Sequence, residues 1–150
     1  MSSRFNVRVY GVCRNANQEV LVADERIKGK LITKFPGGGL EFGEGTLECV
    51  KREFIEETGQ AVHVIRHFYT TDFFVASVFN PTSQVICIYY EVMFKEAPRF
   101  STETIAFNFP EGTEDLLRFR WLSQDKITPD SFTFPTDQRV AELLQKERSR

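Results

Sequence analysis

Apolar and polar positions alternate over residues 6–13, with Val7 and Val9 on one side and Arg8 and Tyr10 on the other, which predicts a strand. Residues 19–23 (Glu-Val-Leu-Val-Ala) predict a second. The turn-forming Arg14-Asn15-Ala16-Asn17-Gln18 between them predicts a hairpin. A short strand over 31–35 runs into Pro36-Gly37-Gly38-Gly39, where no regular element is expected to continue. The period then changes. Over 46–58 the apolar Leu47, Val50 and Phe54 recur at helical spacing, and Gly59 is placed to end the helix in a left-handed turn. Residues 61–70 and 84–94 are rich in β-branched and aromatic side chains and predict strands, the second entered through the turn Asn80-Pro81-Thr82-Ser83. A long polar loop over 97–117, a strand over 118–122 and an amphipathic helix over 137–148, with Val140, Leu143 and Leu144 inward, complete the chain. That order predicts a single α+β domain over 1–150 with a mixed sheet.

Composition narrows the class. The chain has 150 residues, 41% hydrophobic, enough to bury a core without a metal or disulfide staple and too apolar for disorder. A net charge of -2 argues against a nucleic-acid polymer as partner, but leaves a nucleotide open as a ligand. No apolar run reaches the roughly 18 residues of a membrane helix, and the run over 85–94 is broken by Glu91. The opening Met1-Ser2-Ser3-Arg4-Phe5-Asn6 has no apolar core for a signal peptide. Cys13, Cys49 and Cys87 are odd in number and far apart, so reduced thiols in a cytoplasmic protein are expected.

The chemistry concentrates in residues 38–60. Glu53, Glu56 and Glu57 fall within about 100° of one helix face, beside the predicted Leu47/Val50/Phe54 stripe. As structure alone this is a poor choice. Like charges three and four apart each cost a few tenths of a kcal/mol, and the helix dipole disfavours anions in the last turn. A divalent cation reverses both penalties, since carboxylate oxygens are what Mg2+ or Mn2+ takes. The glycines just before the helix let backbone or ligand approach closely and offer carbonyls to such an ion. Glu44 and Arg52 supply a pair that can pin loop to helix.

Gly38, five residues, Glu44, seven residues, then Arg52-Glu53-Phe54-Ile55-Glu56-Glu57-Thr58-Gly59 resembles the Nudix box. One position departs: polar Gln60 stands where an aliphatic residue is usual. The resemblance implies an α/β/α sandwich and hydrolysis of a nucleoside diphosphate linked to another moiety, with Mg2+ or Mn2+. By the same resemblance Glu53, Glu56 and Glu57 bind metal, joined by the Gly38 carbonyl. Glu44 and Arg52 orient loop and helix, and Glu56 acts as base or holds the attacking water. In many relatives the base comes from a later loop, which brings in Glu103, Glu111 and Glu114. The partner implied is a small nucleotide derivative, neither a nucleic-acid polymer nor a membrane, and homodimers are common in the family.

Phe35, Gly37 and Gly39 are the expected substrate contacts. His63 and His67 would share a strand face about 13 Å apart, too far for one metal. Phe68, Tyr69, Phe73, Phe74 and Phe79 are expected to pack as core. Within the family, Val75 stands where the ADP-ribose branch tends to have proline, and Ala76, Ser77 and Val78 where the dinucleoside polyphosphate branch tends to have tyrosine. A nucleoside triphosphate, oxidised or not, is thus favoured slightly over ADP-ribose or a nucleotide sugar. The competing class is a non-catalytic Nudix-fold module that senses a nucleotide; such modules usually lack one of the box acids, and this chain keeps them all.

Overall fold

The computed structural model describes residues 4–110 and 116–148. Its strands are β1 (Arg4–Cys13), β2 (Glu19–Ile27), β3 (Lys30–Lys34), β4 (Gly37–Gly39), β5 (Val62–Thr70), β6 (Ser83–Phe94), β7 (Thr102–Glu103) and β8 (Leu117–Ser123). Its helices are α1 (Thr46–Thr58) and α2 (Pro135–Arg148). The chain forms two compact units, Met1–Val12 with Pro36–Pro98, and Cys13–Phe35 with Arg99–Arg150. The class is α+β, with the strands divided over two four-stranded sheets.

The first unit holds the sheet β4-β1-β6-β5 and helix α1. Burial of β1 rises along its length and does not alternate: Arg4, Phe5 and Asn6 are exposed, and every residue from Val9 to Cys13 is buried. Gly11 is a gap into which α1 sets a ring: a Cβ at Gly11 would lie 2.5 Å from Phe54, itself fully buried. Phe54 also meets Phe94 of β6 edge to face, with ring centroids 5.9 Å apart. Burying Val50 and Phe54 stabilises this unit by about 1.5–3 kcal/mol each. The helix starts at Gly45, whose N–H donates to Glu48 Oε1 at 3.1 Å. It ends at Gly59, which takes the left-handed φ of 75° and donates its N–H to Ile55 O at 2.9 Å. The unusual Gln60 is buried, and its Nε2 donates to Ala97 O at 3.2 Å, so polarity there is satisfied. Strand β5 is the sheet's last. It carries exposed His63, Arg66 and His67 and two register shifts, features that keep an open edge from pairing with other strands.

The second unit holds the mixed sheet β3-β2-β8-β7, in which β7 and β8 run parallel, and helix α2. The fully buried carboxylate of Asp24 in this unit is saturated. It accepts from Arg120 Nε and Nη2 at 2.5 and 2.9 Å, from Thr33 Oγ1 at 2.7 Å and from Phe107 N–H at 3.3 Å. Val140, Ala141 and Leu144 are the buried apolar residues among those described in α2, with Thr136 and Asp137 buried in its first turn, while Leu143 is only partly covered.

Several expectations need correction. Strands β1 and β2 do not form a hairpin ladder: they belong to different sheets, and the turn between them is closed by the isolated bridge Arg14–Val20 and by the Asn15 N–H donating to Glu19 O. The glycine run is itself a strand, because β1 offers it a ladder: Arg8 pairs with Gly39, Val9 with Gly38 and Tyr10 with Gly37. Of the aromatic stripe only Tyr69 is core. Phe73, Phe74 and Phe79 lie in the β5–β6 connection, where no regular element turns them inward, and are 41%, 72% and 40% exposed. Among the described residues no helix is long and apolar enough to cross a membrane.

Candidate active site

The side chains of the first unit converge where β4 meets α1. Gly37 adopts a φ of +144°, and a Cβ there would stand 2.2 Å from the Val9 carbonyl oxygen. Gly38 has a different reason to lack a side chain. Its missing Cβ would lie 2.6 Å from Glu53 Oε1 and 2.8 Å from Oε2, so the Glu53 carboxylate rests directly over this backbone.

Arg52 ties loop, strand and helix together. Its Nε and Nη2 donate to the two oxygens of Glu44 at 2.9 and 2.7 Å, a bidentate pair. The same Nη2 donates to the Gly39 carbonyl at 3.1 Å. Nη1 donates to Glu53 Oε1 at 3.1 Å and to Glu56 Oε2 at 3.2 Å. This fork pulls the Glu44 carboxyl down to about 2, with the backbone N–H of Glu41 adding to the effect at 3.0 Å. The Glu44 bond also raises the Arg52 pKa, so the guanidinium is charged at every working pH. Beneath the fork, the buried Cys49 donates its thiol to Gly39 O at 3.5 Å, and burial with the nearby Glu44 charge pushes that thiol up to about 12.

The helix face is arranged differently from the predicted one. Leu47 sits in the exposed first turn and is 47% accessible, while Cys49 is fully buried. At about 100° per residue, Glu53 and Glu57 fall inside the arc bounded by Cys49 and Phe54, not beside it. The Glu53 side chain is accordingly only 13% exposed and Glu57 is half-buried with its Oε2 covered, while Glu56 at the rim is 57% exposed.

Gly37, Gly38, Gly39, Glu44, Arg52, Glu53, Glu56 and Glu57 are thus all carried by the β4–α1 segment of one unit. Phe35, expected to line a substrate cleft, is instead fully buried in the second unit and stacked on Phe132 at 4.3 Å, so its ring has no surface to offer a ligand. Glu103 lies on β7 of the second unit and accepts a hydrogen bond from Asn108 Nδ2 at 3.0 Å. Glu111 and Glu114 lie outside the described residues. The sequence reading missed Cys49, Glu41, whose Oε1 is 3.7 Å from Arg52 Nη1, and Arg8, opposite Gly39. The register of β4 on β1 would have flagged Arg8, but a three-glycine strand has no hydrophobic period to reveal it.

Among the described residues no three His, Cys, Asp or Glu side chains stand close enough together to hold a metal ion in this conformation. Glu53 and Glu56 are drawn to Arg52 instead. The donor set nevertheless fits a hard divalent cation. Three carboxylates on one helix face are its preferred oxygen ligands, and Gly38 leaves backbone open beside Glu53 where a side chain would block it.

The family model described as NUDIX domain matches residues 4–144. No curated protein matches the chain. Among solved structures, the MutT protein from Methanosarcina mazei Go1 is similar over 100% of this chain and 99% of that one, at 21% identity and a TM-score of 0.70. A NUDIX hydrolase from Nitrosomonas europaea is similar over 95% and 89%, at 21% identity and a TM-score of 0.68. The E. coli ORF135 protein is similar over 97% and 92%, at 17% identity and a TM-score of 0.68.

Proposed function

The chain belongs to the Nudix family, and from that premise we propose that it cleaves a small nucleoside diphosphate derivative at the β4–α1 site, with a nucleoside triphosphate or its oxidised form as the favoured substrate. It is a Nudix pyrophosphohydrolase, a class that generally needs a divalent metal and acts on nucleotide derivatives. The observation that carries the reading is the seating of the Glu53 carboxylate over the bare Gly38 backbone, with Arg52 fastening Glu44, Glu53 and Glu56 around it.

In this proposal Glu53, Glu56 and Glu57, with the Gly38 carbonyl, hold Mg2+ or Mn2+. The bound ion supplies neutralisation of diphosphate charge and lowers the pKa of a bound water. Glu44 and Arg52 fix the loop and the helix relative to each other, so the acids keep their spacing. Glu56, the most exposed of the three, receives the proton of the attacking water at its carboxylate. Gly39 keeps the strand bare for the substrate to approach, whereas Gly37, the other expected contact, is bare to clear the Val9 carbonyl. The reading takes 1–150 as one domain, and three buried cysteines outside any disulfide support a cytoplasmic setting.

The test is a panel of nucleoside triphosphates, oxidised nucleotides, nucleotide sugars and dinucleotides, each with Mg2+ or Mn2+ and each with excess chelator, scored by product. Metal-dependent release of a monophosphate and pyrophosphate supports the reading. Turnover confined to ADP-ribose or nucleotide sugars would replace the substrate, and nucleotide binding with no turnover would make the chain a sensing module.

A further inference from the structure

Arg8 is a cation in an unusual place. Strand alternation puts it on the face of β1 shared with Tyr10, opposite the face where Gly11 receives Phe54. It pairs across the ladder with Gly39, and its Nη1 is 3.7 Å from the point a Gly39 Cβ would occupy. Its Nε donates to the Tyr10 hydroxyl at 2.5 Å, and the guanidinium carbon lies 5.7 Å from the centre of that ring. The side chain is partly buried, and Glu53 is among the charges acting on it. Yet among the described residues no carboxylate forms an ion pair with it, and Nη1 and Nη2 keep donors to spare. A partly buried guanidinium that stays charged but makes no direct ion pair has Nη donors to offer an arriving anion. Its planar fork suits phosphoryl oxygens.

We propose that Arg8 is a substrate-binding residue that grips a phosphoryl oxygen of the diphosphate beside Gly39, and that Tyr10 is the positioning residue that aims it. This rests on the proposed reaction at the β4–α1 site and adds to it a binding group from β1. The side chain that would stand in the way is absent, because the residue facing Arg8 across the ladder is glycine. Tyr10 occupies Nε, which leaves the Nη donors beside Gly39 for a ligand.

Steady-state kinetics and calorimetry with inorganic pyrophosphate and Mg2+ test this together. Loss of a charge-assisted hydrogen bond weakens binding about ten- to hundredfold. Arg8→Met is expected to raise KM and the pyrophosphate Kd by that factor, with kcat within about threefold of wild type. Arg8→Lys, which keeps charge but not the fork, recovers part of both. Tyr10→Phe raises KM by a smaller factor and covers the case in which Arg8→Met does not fold. Unchanged pyrophosphate affinity in folded Arg8→Met overturns the proposal, as does a shift in base preference with pyrophosphate binding intact. If instead wild type turns over no substrate on the panel, the reaction assignment fails, and pyrophosphate calorimetry still decides the role of Arg8.

Discussion

Replacing Gly38 by alanine moves one carboxylate and little else. The new methyl would lie 2.6 Å from Glu53 Oε1, 2.7 Å from Cδ and 2.8 Å from Oε2, where ordinary contact begins near 3.4 Å. Glu53 must therefore retreat by about 0.8 Å. What it meets is the end of a flexible side chain, not backbone, so the fold loses no more than about 1 kcal/mol, which is roughly 2–4 °C in Tm for a chain of this size. Catalysis is far less tolerant, since misplacing a reacting group by about 1 Å costs on the order of a hundredfold. Gly38→Ala is expected to lower kcat about ten- to hundredfold while melting within a few degrees of wild type. The assay pairs kcat at saturating Mg2+ and nucleoside triphosphate with a thermal melt of the same sample. Activity within twofold of wild type would refute the claim that Glu53 over Gly38 is the working geometry. So would a loss of activity explained entirely by unfolding.

Gly37→Ala should do the reverse. Its Cβ would strike backbone, 2.2 Å from Val9 O, at a φ of +144°, so a loss of about 2–4 kcal/mol should appear as a lower Tm before any specific kinetic effect. Arg52→Lys should lower kcat nearly as far as Arg52→Ala, because an ammonium cannot span both Glu44 oxygens and still reach Gly39 O; restored activity in the lysine variant would show that charge alone suffices. The Glu44 lock has a depressed folded pKa of about 2 against an ordinary 4.5, so its contribution is fully present above about pH 4.5 and is lost as pH falls toward 2. An NMR titration of the Glu44 carboxyl should show this, and in Arg52→Met the midpoint should return toward 4.5.

The local rules that act within a few residues were legible. The helix over Thr46–Thr58 and its glycine terminus follow from spacing and backbone freedom alone, and the structure has both. So does the segment that carries the eight box and glycine positions, since their spacing is fixed by one loop and one helix. What failed depends on partners distant in sequence. A glycine run reads as a turn until β1 is known to lie beside it. Leu47 reads as core because helical spacing reports a face but not how far along the helix the packing extends, and its first turn is uncovered. Phe35 lies two residues before Gly37 yet belongs to the other unit, where Phe132, almost a hundred residues on, covers it. Arg8 had no sequence signal, because its interest comes only from facing Gly39.

Mn2+ binding followed by electron paramagnetic resonance tests the metal assignment without relying on turnover. Wild type should bind Mn2+ with Mg2+ as competitor, and Glu57→Gln, with its fold checked by melting, should lose that binding at least tenfold along with hydrolysis. Equal Mn2+ affinity in the wild type and a folded Glu57→Gln would contradict the claim that the acids of α1 hold the ion.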